Sequence, residues 1–184
     1  MNNSRIKTEA DLLVLKARLR ELLASYPNWF IGGSYSYELM CWRDLDVYVL
    51  DPEQDLKRCF DIAYEITRRL AAVKSRFTNN CGSEPNGFYW GIKLGDIAQG
   101  AWKVDLWFLD QRGYDDHLAY TARMNEALTP DFRSSILSIK EAYWRRPEFR
   151  DMVTSDLIYR AVMEYGVKDV QGFDDFLLKR PVGP

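Results

Sequence analysis

Three aspartates stand where strand patterning calls for apolar or β-branched side chains, and they constrain this chain more than any other feature. Asp44-Leu45-Asp46 leads straight into the apolar run Val47-Tyr48-Val49-Leu50. Lys103-Val104-Asp105-Leu106-Trp107-Phe108-Leu109 sets a third carboxylate inside another alternating run. Aspartate is depleted in strands, and a carboxylate held away from water destabilises the fold unless it is paired or bound to a cation. Side chains alternate across a strand. Asp44 and Asp46 therefore share a face, with Leu45, Val47 and Val49 on the other. Lys103, Asp105 and Trp107 likewise share a face, opposite Val104, Leu106 and Phe108. If the two strands are neighbours, the apolar faces meet a helix-covered core and the three carboxylates converge on the open face. Three oxygen donors there suit a divalent ion of the Mg²⁺ kind, which completes its shell with water and substrate phosphates. Two such ions would hold the attacking and leaving oxygens of an in-line displacement.

A tight turn lies upstream. Trp29-Phe30-Ile31 reads as the end of a short strand over residues 28–31, running into Gly32-Gly33-Ser34, and nine residues separate Ser34 from Asp44. Ser34 is expected to cap a helix continuing to about Cys41. Glycine lets the backbone approach a ligand, and a helix start favours phosphate. Gly32, Gly33 and Ser34 are therefore candidate phosphate holders. Lys103, on the face of Asp105, is a candidate phosphate or acceptor contact, or an ion-pair partner of a nearby acid.

Around these segments the pattern reads as α+β. Leucines at helical spacing predict an amphipathic helix over residues 6–25, ended by Tyr26-Pro27, and a second over 53–73. Strands are expected at 44–50, 87–94 and 101–109, with a hairpin loop at 95–100 and a polar, turn-rich stretch at 78–87. Helices are expected at about 114–127, 131–145, 149–165 and 169–179. Strand patterning stops near residue 113, which divides the chain into a catalytic region, 1–113, and a C-terminal helical region packed on it, 114–184.

Composition narrows the function classes. The 184 residues are 47% hydrophobic, enough for a sizeable core. No apolar run approaches the roughly 20 residues that span a bilayer, and residues 1–7 lack the apolar core of a signal peptide. A cytoplasmic protein is expected. Net charge is −2 and basic residues are scattered, which argues against a nucleic-acid partner. Cys41, Cys59 and Cys81 show no metal-ligand spacing. His117 is the single histidine and lies outside the carboxylate strands, so it reads as a packing residue. Trp90, Trp102 and Trp107 are core candidates that include a possible stacking platform for a ring.

The turn, the acid-x-acid strand and the later strand acid together resemble the nucleotidyltransferase superfamily that includes DNA polymerase beta. Its pattern is glycine followed by glycine or serine at a strand-to-helix turn, about ten residues, an acid-x-acid strand, then a third acid on a later strand. Gly33 and Ser34, Asp44 and Asp46, and Asp105 match it. The resemblance spans residues 28–110. It implies a mixed β-sheet backed by helices, an NTP co-substrate such as ATP, and Mg²⁺ or Mn²⁺. It also implies transfer of a nucleoside monophosphate to a hydroxyl with release of pyrophosphate. Asp44 and Asp46 would bind both metals and the triphosphate. Asp105 would hold the catalytic metal and help deprotonate the acceptor. Ser34 and the adjacent backbone would hold the outer phosphates. The catalytic region followed by helices looks most like the aminoglycoside- or lincosamide-type transferases, with a hydroxyl-bearing small molecule as acceptor. The rival readings are an antitoxin-type enzyme that adenylylates a protein, a catalytically silent nucleotide- or protein-binding module of the same fold, and a metal-dependent phosphohydrolase.

Overall fold

A computed structural model describes residues 3–149 and 152–179. One mixed five-stranded sheet organises the first part of the chain. Its strands are β1 (Trp29–Ile31), β2 (Asp44–Leu50), β3 (Lys74–Asn79), β4 (Gly87–Lys93) and β5 (Lys103–Leu109), in spatial order β1-β2-β5-β4-β3. Only β2 and β5 run parallel; the other neighbours are antiparallel. Eight α-helices accompany the sheet among the described residues, so the fold is α+β.

One face of the sheet is the core. Leu45, Val47, Val49, Ile92, Val104, Leu106 and Phe108 are all fully buried there. They pack in one cluster with Ile6, Ala10, Leu13 and Ala17 of α1 (Asn3–Ala17) and with Cys59, Ala63 and Ile66 of α4 (Leu56–Arg69). Both helices repeat apolar residues at three- and four-residue spacing, which gathers them on one stripe. Asp55 begins α4 by accepting a hydrogen bond from Arg58 N at 3.0 Å. The opposite face carries the carboxylates at one end. At the other end it is covered by α5 (Gln111–Ala127), whose Tyr114 and His117 lie against Phe30 and Tyr48. Asp110 starts α5 three residues before the expected position, accepting from Gly113 N at 2.7 Å.

Three expectations change. The helix expected over residues 6–25 breaks at Arg18, whose φ of 55° is left-handed, into α1 and a one-turn α2 (Leu19–Leu22). The break lets Ala17 and Leu19, both buried, reach the core from nearly consecutive positions. The helix expected from Ser34 to Cys41 is a single turn, α3 (Gly33–Ser36), capped by Gly32 rather than Ser34. Beyond it Tyr37, Leu39, Met40 and Cys41 are all buried, which no one-sided helix allows, and Glu38 turns the chain at φ 58°. Strand β3 occupies residues between an expected helix and an expected loop. It is an exposed edge strand, so its alternation carries little apolar signal.

The chain divides into two compact units, Met1–Glu126 and Ala127–Pro184. The second unit is helical, with α6 (Pro130–Tyr143), α7 (Ser155–Met163) and α8 (Val170–Lys179). Thr129 and Thr154 cap α6 and α7, each accepting a backbone N–H at 3.2 Å. Ile136, Ile139, Tyr143, Ile158, Val162 and Phe173 are buried within this unit. The helix expected from 149 begins at Ser155; residues 150 and 151, near its expected start, lie outside the described residues.

Asp51, just past β2, is 1% exposed, and its Oδ2 accepts no hydrogen bond. Burial pushes its carboxyl above the ordinary range, and the Arg58 guanidinium pulls it only part of the way back. A folded-state value above the unfolded one favours the protonated form. Asp51 therefore stabilises the fold fully below the unfolded carboxylate range, near pH 4, and this contribution is lost as pH rises through the folded value. Asp51→Asn removes the charge at every pH. Urea unfolding should find the variant gaining on wild type as pH rises from about 4.5 to about 7.5. A gap independent of pH would contradict this account.

Candidate metal and phosphate site

The parallel pairing of β2 with β5 sets Asp46 beside Asp105 and Asp44 beside Lys103. Ligand oxygens of Asp44, Asp46 and Asp105 all lie within 4.8 Å of one another. Asp44 and Asp46 are half-buried, and Asp105 is 7% exposed. The glycine turn abuts this cluster. Gly32 N donates to Asp46 O at 3.0 Å, tying the turn to β2. Gly33 has φ +58°, and a Cβ built on it would run into Asp46 Oδ2. Both the backbone conformation and the space therefore require glycine there. A Cβ on Gly32 would lie 2.7 Å from the Tyr48 ring. Ser34 is buried in the first turn of α3, where its carbonyl accepts from Leu39 N at 2.9 Å.

A single ammonium sits among the acids. Lys103 Nζ donates to Asp105 Oδ2 and lies 3.7 Å from Asp44 Oδ1. Burial works against the charged amine, but the carboxylates of Asp44 and Asp105 outweigh it and hold the Lys103 pKa above its usual value. Burial raises the Asp105 carboxyl, assisted by Asp44 and opposed by Lys103 and by a hydrogen bond from Tyr89. That bond runs from Tyr89 Oη to Asp105 Oδ1 at 2.8 Å. Burial and the facing Asp105 carboxylate push the Tyr89 phenol well up, so it stays a donor. Trp42 Nε1 donates to Asp44 Oδ2 at 3.3 Å.

Tyr89 and Trp42 are the residues that sequence reasoning missed. Tyr89 was legible in principle: it is two residues from Gly91, and Gly91 pairs with Asp105 across β4 and β5. The missing side chain at Gly91 makes room for the phenol, since a Cβ there would meet Tyr89 Oη at 2.5 Å. Trp42 precedes the strand, and no periodicity marks it. Of the three candidate platform tryptophans, Trp107 shares the carboxylate face and packs on Tyr89 at 4.6 Å between ring centroids. Trp90 points the other way, against Phe60 and Phe77, because it alternates with Tyr89. Trp102 packs against the core cluster. His117 stacks on Tyr48 at 4.4 Å, and burial lowers its pKa. It makes a packing contact, two strand positions from Asp46.

The donor set fits a hard divalent cation. It consists of carboxylate oxygens only, as Mg²⁺ and Mn²⁺ prefer. Asp44 Oδ1 is buried without a hydrogen bond, and the one positive group at hand already lies against it and Asp105. Among the described residues no other cluster of three such groups could hold a metal. No helix among them is long and apolar enough to cross a membrane.

No protein-family model matches the chain, and no curated protein does. Solved structures do match. The terminal uridylyl transferase Cid1 aligns at a TM-score of 0.55 and 16% identity, over 88% of this chain and 49% of its own. The STING-associated CdnE c-di-GMP synthase from Capnocytophaga granulosa aligns at 0.52 and 13% identity, over 95% of this chain and 65% of its own. A cytoplasmic RNA terminal U-transferase aligns at 0.50 and 16%, over 89% and 45%. The chain thus spans about half to two thirds of the length of the structures it matches. At such identities the likeness is one of fold. This chain shares the fold of these two uridylyl-transferring enzymes and of the synthase.

Proposed function

We propose that this chain is a metal-dependent nucleotidyltransferase that moves a nucleoside monophosphate from an NTP to a hydroxyl, with pyrophosphate leaving. The observation that carries the reading is the convergence of Asp44, Asp46 and Asp105 on one sheet face, against the Gly32-Gly33 turn. Asp44, Asp46 and Asp105 would hold Mg²⁺ or Mn²⁺. When bound, the ion supplies positive charge for the triphosphate and for the charge that develops in an in-line displacement. Gly32, Gly33 and Ser34 hold the outer phosphates, the glycines because nothing larger fits against Asp46 and Tyr48. Asp105 would take the proton of the acceptor hydroxyl as that oxygen attacks the α-phosphorus. The bond from the α-phosphorus to the bridging oxygen breaks, and pyrophosphate departs. Tyr89 keeps the Asp105 carboxylate in one orientation. Lys103, on a flexible stem beside the acids, reaches the triphosphate.

For the acceptor we propose a hydroxyl-bearing small molecule. The net charge of −2 and the scattered basic residues offer no stripe for a polyanionic backbone. A second reading, transfer to an RNA end, is favoured by the fold likeness to terminal uridylyl transferases. An incorporation assay decides between them. Each labelled NTP is supplied with Mg²⁺ or Mn²⁺, and the acceptors are a pool of hydroxylated small molecules, an oligoribonucleotide, or cell lysate. Label in a small molecule supports the first reading and label on RNA the second. Label on a protein would promote an adenylylating enzyme.

Asp46→Asn should lower transfer by about 10²–10³-fold or more. Its melting temperature should equal or exceed that of wild type, because repulsion among three clustered carboxylates is relieved. Full turnover by this variant would remove the assignment. Gly33→Ala should cost about 1–3 kcal/mol in urea unfolding, as a side chain is forced into a left-handed position. It should also reduce transfer, because the added Cβ displaces Asp46. Mg²⁺ and an NTP together should raise the melting temperature of wild type, and this rise should be absent in Asp44→Asn/Asp46→Asn.

A further inference from the structure

Lys103 is the one group in the site whose position conflicts with the role of its neighbours. Its Nζ donates to Asp105 Oδ2 and faces Asp44 Oδ1 at 3.7 Å. These are two of the three carboxylates that would ligate a metal, and they come from both strands. The lysine side chain is three-quarters buried, and register holds its backbone directly opposite Asp44. Asp44 Oδ1 accepts no hydrogen bond, so the ammonium is its only charge partner among the described residues.

Resting on the metal-site reading above, we infer that Lys103 is a tethered cation that competes with the divalent ion for Asp44 and Asp105. Two positive centres cannot draw on the same oxygens a few Å apart without strong mutual repulsion. Metal entry therefore requires the ammonium to swing off the carboxylates. Four methylenes give it the reach to do so, and the triphosphate supplies the anionic oxygens that receive it. The metal alone binds weakly, and metal with nucleotide binds well, because the nucleotide gives Lys103 a new partner. This makes Lys103 a positioning residue that couples the two ligands. It also offsets part of the negative charge of the cluster when no nucleotide is present.

The test is Mn²⁺ binding measured by electron paramagnetic resonance on the full chain, with no nucleotide. The proteins are wild type, Lys103→Met, Lys103→Gln, Lys103→Arg and Asp44→Asn/Asp46→Asn, each checked for folding by circular dichroism. Lys103→Met and Lys103→Gln should bind Mn²⁺ at least about tenfold more tightly than wild type. Lys103→Arg, which keeps the charge, should stay within about threefold of wild type. The glutamine variant covers the case in which methionine does not fold. Equal affinity in wild type and the neutral variants, with binding lost in Asp44→Asn/Asp46→Asn, overturns the inference and leaves the metal reading intact. Binding that survives in Asp44→Asn/Asp46→Asn overturns both. Failure of Lys103→Met and Lys103→Gln to bind Mn²⁺ at all overturns the inference too, since removing the ammonium should open the site.

Discussion

The structure turns on one pairing. Strands β2 and β5 run parallel with Asp46 directly opposite Asp105, so two carboxylates stand on one sheet face at neighbouring positions, with Asp44 close by. Like charges at this range repel, and burial of Asp105 sharpens the penalty. The surrounding residues answer that repulsion. Lys103 supplies a positive charge to Asp44 and Asp105, Tyr89 donates to Asp105, and Trp42 donates to Asp44. The glycines make the space: Gly33 for Asp46, and Gly91 for the phenol that reaches Asp105.

What makes such a face tolerable is the other one. Leu45, Val47, Val49, Val104, Leu106 and Phe108 alternate with the polar residues and are fully buried beneath α1 and α4. Because the side-chain period is two, a slip of one residue in either strand would exchange the faces, placing carboxylates in the core and valines in the site. The apolar rows thus set the register, and the register sets the geometry of the acids. The site is held by packing on the far side of the sheet, on strands rather than loops, which keeps its oxygens in fixed relation.

The same alternation explains what was legible beforehand. Strand β2 runs from Asp44 to Leu50 as the pattern indicates, and the shared face of Asp44, Asp46 and Asp105 follows from counting by twos. The α+β class was readable from the same kind of patterning, and the mixed sheet followed from the resemblance that the motifs carry. Positions where tertiary burial overrides local periodicity were not. Arg18 breaks a continuous leucine pattern because Ala17 and Leu19 both face the core. The segment after Ser36 leaves the helix because four apolar residues, Tyr37, Leu39, Met40 and Cys41, are buried together. The edge strand β3 carries Lys74, Arg76 and Thr78 on one face and has no apolar rhythm to read. In the site, Tyr89 went unnoticed because its role depends on an absent side chain, that of Gly91 across from Asp105.

A buried carboxylate does not by itself mark a functional site, and β2 carries the comparison at its two ends. Asp51, past the C-terminal end, is more deeply buried than Asp44 or Asp46, and its Oδ2 has no hydrogen-bond donor. Yet it belongs to no metal-sized group of three acids among the described residues, and its backbone N–H donates to Leu109 O while its carbonyl accepts from Gln54 N. That is the wiring of a turn. The acids at the N-terminal end differ in kind: three carboxylates from two strands aim at one point, with a positive group among them. Folding gains nothing from bringing three negative charges together, whereas an aspartate at a turn is explained by the backbone it organises. Convergence, rather than burial, is what sets Asp44, Asp46 and Asp105 apart as candidates for chemistry.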